Sequence, residues 1–419
     1  MSEQSQNGEV KTLSSMADTK NPINPASPKS RELSDQRHDE AEIIDVDVVL
    51  LTNYVRRHHM VAFQEIQKRV RKLTVLLSVP MEPDREWEAD WGGLDVVVQK
   101  NRMFTRKWKH STGFSEQNYI HVPTDTTSHL KRLNPDVILS YEMGMRTLLC
   151  SAYRLFRSQC SLIMVGNMSE HVESERGLCR RLFRTIIKRG CDFFTYNGPS
   201  CHRYLKSLMI SDEKLHHFPY CIDEDTVYRG PRNTPHPTKR KMVYCGALSS
   251  RKGILDFAKA AHKWCAANPT KTIELSLAGS GELKQQISDL SGGNFEIKFL
   301  GNCDLAGLRL AYQNADLCVF PSLADEWGLV PIEAMASGLP VLGSFYAQSV
   351  EAYVQDGENG WVFRPNEDSM IEAAIDRAMQ VQPDELLKMG AAAKSAVSGI
   401  SPASSAENIC QLIKRIVSK

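Results

Sequence analysis

Nowhere in this chain of 419 residues does an apolar run approach the roughly 18–20 residues that span a bilayer. The first 40 residues also lack the apolar stretch of a secretory signal. The 11 cysteines, scattered from Cys150 to Cys410, contain no C-x-x-C pair, so the short paired spacings of a zinc site or a disulfide framework are missing. Several lie inside apolar runs, such as Cys318 in LCVF, and read as small buried hydrophobes. Charge of one sign is missing too. Lys plus Arg number 51 against 50 for Asp plus Glu, a formal net charge of +1, which argues against a nucleic-acid binder. Neither a short repeat nor a heptad array occurs. What is present is ordinary for a globular protein, with 42% hydrophobic and 24% charged residues. A soluble, cytoplasmic protein of two or three domains is the expectation.

Residues 1–42 are rich in Ser, Asn, Pro, Asp and Glu, and read as a disordered tail. From VDVVLL onward, short apolar runs alternate with helical patterns, the rhythm of a parallel sheet with crossover helices. The helical pattern AFQEIQKRVRKL precedes the strand LTVLLSVPM; then come DVVV, SHLKRL, PDVILS, SLIMVG and DFFTY. That rhythm breaks at FPYCIDEDTVYRGPRNTPHPTKRK and restarts at MVYCG, continuing through IELSLAG, IKFLG, DLCVFPS and LPVLG. The division expected is a first domain over 43–222, a linker over 223–240, a second domain over 241–403 and a closing amphipathic helix over 404–419, SSAENICQLIKRIVSK, with Ser at its N-cap.

In open parallel sheets, ligands bind beyond the carboxyl ends of strands, often at helix N-termini. Three strand ends of the second half carry residues of that kind. YCGALSSRKGI brings Gly246, which permits close backbone approach, then Arg251, Lys252 and Gly253. Lys252 offers a compact positive charge for a phosphate; the alternative is a solvated lysine beside a helix-start glycine. LAGSGEL has Gly279 and Gly281 without the third glycine of a dinucleotide fingerprint, and reads as a plain tight turn. In PSLADEWGLVPIEAMASGLPVLGS, acidic Asp325 and Glu326 precede Gly328, with Pro331 in a first helical turn. The backbone N–H groups around Gly328, Leu329 and Val330 would form an anion site for a diphosphate, with Lys252 as counter-charge. Glu333, eight residues after Asp325, is an acceptor-only carboxylate suited to a ribose diol.

The stretch EAMASGLPV, preceded by an acid eight residues before its glutamate, resembles the signature of the family 4 (group 1) retaining glycosyltransferases. YCGALSSRKGI is similar to that family's phosphate loop, and QDGENGWVF to the stretch after the signature; the likeness covers nearly all of Phe218 to Met379. It is weaker in the first half, where TNYVRRHHMVAFQEI resembles the opening of some members. The resemblance implies an α/β, GT-B architecture, two Rossmann-like doubly wound parallel-sheet domains facing a central cleft. It implies transfer of a sugar from a nucleotide-diphosphate donor to a glycan or lipid-linked acceptor, with retention and with neither metal nor cofactor. Lys252 would then neutralise the diphosphate, Asp325 and the following amides would hold sugar hydroxyls, and Glu333 would bind the ribose. Arg251 and Glu326 join the donor set. His171, in GNMSEHVE, sits near the position of an active-site histidine. Glu142 and His58 are acceptor-side candidates, His58 and His59 lying in the first loop.

Two departures from the family pattern stand out. The first acid of the signature is Asp325, with Glu326 where glycine is usual, and Ala247 replaces the arginine after the first glycine of the phosphate loop. They favour, as a rival, a non-enzymatic GT-B scaffold that binds a nucleotide sugar or a partner protein; a sugar-nucleotide epimerase of related fold is a second rival. Basic clusters at Lys68-Arg69 with Arg71-Lys72, at Arg106-Lys107-Trp108-Lys109, and at Arg180-Arg181 with Arg184 offer peripheral contact with the inner face of a membrane. The alternative for each is a solvated helix face.

Overall fold

A computed structural model describes residues 43–83, 89–110, 113–173 and 176–418. The tail expected over 1–42 lies outside them. Buried apolar runs become strands of two parallel sheets. The first holds β1 (Ile44–Thr52), β2 (Val70–Leu77) and β3 (Asp95–Val98). After an antiparallel hairpin of β4 (Asn101–Lys109) and β5 (Ser115–Pro123) come β6 (Val137–Tyr141), β7 (Ser161–Val165), β8 (Phe193–Tyr196) and β9 (Leu215–His217). The second sheet holds β10 (Lys239–Cys245), β11 (Thr272–Ala278), β12 (Phe295–Gly301), β13 (Leu317–Phe320), β14 (Val341–Ser344) and β15 (Gly360–Phe363).

Their orders are β3-β2-β1-β6-β7-β8-β9 and β12-β11-β10-β13-β14-β15. Each order reverses beside its first strand, between β1 and β6 and between β10 and β13, where Val48 pairs with Val137 and Met242 with Leu317. Crossovers on the two sides of such a point leave opposite faces, so a crevice opens at the carboxyl ends of the two strands. The residues following β1, β6, β10 and β13 therefore converge on ligand-sized space.

Each sheet buries its own core. Met242, Leu275, Phe257 and Trp361 meet in the second half. Val48, Leu50, Val75 and Leu139 meet in the first, joined by Ala406, Ile409 and Ile413 of the closing helix. That helix runs Pro402–Val417, two residues earlier than expected, because Ser401 caps it: its hydroxyl accepts from the Ser404 N–H at 3.1 Å, with Pro402 in the first turn. The Ser405 hydroxyl donates to the Pro219 carbonyl at 2.7 Å and anchors the helix on the first half.

Two expectations need correcting. The helix opening the first half spans Arg57–Gln67, and VRKL belongs to β2 instead, since Val70 pairs with Ile44 where both strands begin. The β4–β5 hairpin was not anticipated. Its alternation is hidden because β4 is exposed on both faces, apart from the half-buried Asn101 and Trp108.

Candidate functional site

The loop after β10 is fixed by backbone packed on backbone. A Cβ at Gly279 (φ +147°) would lie 2.0 Å from the Gly246 carbonyl oxygen, and one at Gly281 2.4 Å from that of Leu248. The G-x-G of LAGSGEL thus serves close approach of neighbouring loops, beyond the plain turn expected. Gly253 (φ +64°) lies against the loop after β13, with its Cβ position 2.1 Å from the Pro321 carbonyl oxygen. This contact seats the turn Ser250–Lys252 directly over residues 321–325.

Lys252 Nζ then meets Asp325 Oδ2 at 2.5 Å. Arg251 donates to the Ala324 carbonyl at 3.0 Å, stands 3.6 Å from the same Asp325 oxygen, and forms an ion pair with Glu116 of the hairpin. Burial pushes the Asp325 carboxyl up, but Lys252 and Arg251 outweigh it and hold it below the usual range, so it stays ionised at neutral pH. Gly328, at φ +88°, turns the chain into the helix Leu329–Ala336. The first N–H groups of a helix have no partner within it, and those at Leu329 and Val330 begin this one. Glu333, one turn in, accepts from the Tyr312 hydroxyl at 3.1 Å. Burial pushes its carboxyl up to about 7.

Glu326 follows Asp325 but turns elsewhere. It is exposed to solvent in the cleft, although protein crowds it at longer range. Desolvation, with Glu142 and Glu173 nearby, raises its carboxyl to about 7. Trp327 is buried against the Gly198 backbone, where a Cβ would sit 2.7 Å from the indole.

On the first half, His171 lies in the short helix Glu170–Glu173 and faces the second half, its ring 5.3 Å from that of Phe345 and 5.4 Å from that of Tyr346. Burial holds its pKa below the usual imidazole range, against the pull of Glu170. Glu142 ends β6 at φ +67°, a left-handed conformation uncommon outside glycine. His58 lies on a helix, not in the loop expected for it. With His59 it forms the first turn of the helix Arg57–Gln67; both are buried, and His58 packs edge-on against Tyr220 at 5.1 Å. Burial drops the His58 pKa to about 3, so it is neutral, and it lines a small cavity with His59, Tyr141 and Tyr220.

The basic clusters resolve differently. Arg184 is buried and pairs with buried Glu173 at 2.8 Å, while the partly exposed Arg180 pairs with the same carboxylate at 3.0 Å. Lys68 and Arg69 pair with Glu65, and Arg71 with Asp45, Asp47 and Asp136. Arg106, Lys107 and Lys109 stay exposed, but on the hairpin, not on a helix face. Two further residues at the interface of the halves, Glu116 and Gln348, carry no local sequence signal. The buried Gln348 amide accepts from the Cys201 N–H at 2.8 Å and donates to the carbonyls of Met168, at 3.2 Å, and Glu326. Among the described residues no three His, Cys, Asp or Glu side chains converge as metal ligands, and no helix is long and apolar enough to cross a membrane.

Comparison with known proteins bears on this geometry. Residues 231–396 match the family model for glycosyl transferases group 1. An uncharacterized glycosyltransferase of Methanocaldococcus jannaschii is 31% identical over 144 residues, 34% of this chain and 36% of that protein. D-inositol 3-phosphate glycosyltransferase of Nocardia farcinica is 36% identical over 183 residues, 42% of this chain and 40% of that protein. These alignments thus take in well under half of either relative. Solved structures match over far more of the chain. The sucrose-phosphate synthase of Thermosynechococcus elongatus aligns at a TM-score of 0.64 and 15% identity, over 89% of this chain and 99% of that one. Anabaena HepE in complex with UDP aligns at 0.64 and 16%, over 88% and 100%. The fold is GT-B, two Rossmann-like halves, and the stretch that carries β10 to β15 matches the glycosyl transferases group 1.

Proposed function

We propose that the protein is a retaining glycosyltransferase that moves a sugar from a nucleotide-diphosphate donor to a glycan or lipid-linked acceptor. The observation that carries this reading is the set at the switch point of the second sheet: Lys252 and Arg251 against Asp325, the N-terminus of the helix Leu329–Ala336 beside them, and Glu333 behind. Fixed cations and helix N–H groups stabilise the charge that grows on a departing diphosphate, which is the largest demand of the reaction. No metal has a necessary part in that scheme. Glu333 would accept from the ribose hydroxyls, and Asp325 with the amides after it would hold the sugar. His171, neutral and facing the cleft from the other half, would contact the sugar or the incoming hydroxyl. Retention comes from the likeness to the retaining family. The group 1 match supports transfer, and the UDP bound in the HepE structure supports a nucleotide donor.

The test is mass spectrometry of products formed from a panel of nucleotide sugars with cell lipid extract and glycans. A sugar-bearing product supports the reading. Conversion of donor with no acceptor would point to an epimerase, and tight donor binding with no turnover to the scaffold, the rival that Ala247 and Asp325 favour.

Membrane contact belongs to the same proposal, on a surface that keeps only Arg181 of the basic clusters first singled out. Leu155 and Phe156 are each 84% exposed, Leu182 66% and Ile186 56%, on two helices of the first half. Exposed Arg157, Arg181 and Arg189 accompany them. Exposed apolar side chains with arginines beside them in sequence suit an anionic headgroup layer. Cosedimentation with anionic but not zwitterionic vesicles is expected, and Leu182→Ser with Ile186→Ser should abolish it.

A further inference from the structure

The β4–β5 hairpin stands apart from the seven-stranded sheet, yet its end reaches the donor loop of the other half. Phe114 joins Leu323, Ala324 and Val172 in an apolar cluster, with Trp108 packed against it. The Arg176 guanidinium stacks on Trp108, 4.0 Å from the ring centroid. Opposite Trp108 in the hairpin register stands Glu116, whose carboxylate pairs with Arg251. Glu116 also lies within electrostatic range of Lys252. Two cations and two acids, Arg251 and Lys252 with Asp325 and Glu116, therefore form a neutral cluster where the donor reading places the diphosphate.

A diphosphate adds negative charge, and a neutral cluster takes it well only if one acid leaves. Asp325 is tied into its own half: its N–H donates to the Tyr346 carbonyl at 3.3 Å, and it bridges to Ala347. Glu116 sits on a projecting hairpin, with its side chain 37% exposed. It is the acid free to withdraw. We propose that Glu116 is a positioning residue of the donor site, supplied by the first half, which holds Arg251 until the phosphates of a nucleoside diphosphate displace it. The inference rests on the donor-site reading above. It makes hairpin release part of donor entry and gives the first half a direct sense of whether phosphate is bound.

The test is calorimetry with UDP and GDP, and with the matching nucleosides, on the full chain and on Glu116→Gln. The variant should bind the accepted diphosphate about three- to tenfold more tightly, the scale of one partly exposed ion pair. Affinity for the nucleoside should stay unchanged. Equal or weaker diphosphate binding would overturn the displacement and make the pair a brace, leaving the donor reading intact. Absence of diphosphate binding by both proteins would remove the donor reading and the inference together. Hydrogen exchange on the unmutated protein is an independent check. Amides of β4 and β5 should exchange faster when the diphosphate is added, and slower exchange would sink the proposal.

Discussion

At the scale of single residues, the ion pair of Lys252 with Asp325 sets the first expectations. Lys252→Ala should cut kcat/KM by roughly 10²–10³, the loss seen when a main stabiliser of developing charge is removed; steady-state kinetics on a folded variant checks it. Asp325→Asn should reduce transfer sharply and Glu326→Gln much less, because only the Asp325 carboxylate meets the cations. The reverse order would make Glu326 the working acid. Glu333 carries a pH signature. Its carboxyl, raised to about 7 by burial, is largely protonated at pH 6. Ribose hydroxyls donate to the ionised form, so nucleotide binding should release a proton near neutrality and tighten as pH rises through 7. The sign for folding is opposite: a carboxyl whose folded value lies above its unfolded one costs stability as pH climbs from about 4.5 to 7. Glu333→Gln should lose roughly 1.5–3 kcal/mol of nucleotide binding and its pH slope together. Calorimetry in buffers of different ionisation enthalpy reads both. Asp325, Glu326 and Glu333 were legible in the sequence because strand, acid, glycine and helix follow one another from Leu317 to Ala336, so local order fixes their geometry. Glu116 was not: its partner Arg251 is 135 residues away, and no local pattern encodes that pairing.

At the scale of elements, the parallel strands were legible as short apolar runs, since strands covered on both faces need no polar alternation. The hairpin was not, because β4 is open to water on both faces and leaves no hydrophobic period to read. The two-glycine loop was seen but its reason was not, because close approach of two loops is a property of the folded pair. The seat of Lys252 offers a test at this scale. Gly253 has both a left-handed φ of +64° and a Cβ position 2.1 Å from a backbone oxygen of Pro321. Neither strain can relax by moving a flexible side chain. Gly253→Ala should therefore cost more than about 1 kcal/mol, seen as a lower denaturation midpoint. It should also lift Lys252 away from Asp325 and weaken diphosphate binding. A variant as stable as the parent would mean that the loop after β13 is free to shift.

At the scale of the whole molecule, the proposed reaction needs His171 from one half and Lys252 from the other at the same substrate. The halves are held together partly by the apolar cluster of Phe114 and Val172 with Leu323 and Ala324, and partly by specific polar contacts. Arg203 bridges Glu170 of the first half and Glu351 of the second at 2.5 and 2.6 Å, and Trp327 lies on Gly198. Gln348 is the most constrained of these contacts. It is 1% exposed, and its amide satisfies Cys201 N–H and Met168 C=O across the interface. Gln348→Leu keeps the volume but leaves both backbone groups buried without partners when the cleft is closed. Each such group costs about 1–3 kcal/mol, and opening the cleft hydrates it. The substitution should therefore shift the molecule toward an open form without unfolding either sheet. Transfer should fall by about tenfold or more. Affinity for the nucleoside diphosphate should hold or rise, by at most the roughly tenfold expected for Glu116→Gln, since its contacts lie on the second half and opening draws Glu116 away from Arg251. Small-angle scattering should show a larger radius of gyration for the variant. Loss of transfer with unchanged dimensions would place Gln348 in chemistry instead of closure. Unchanged transfer would mean that Arg203 and Trp327 suffice to hold the halves in register.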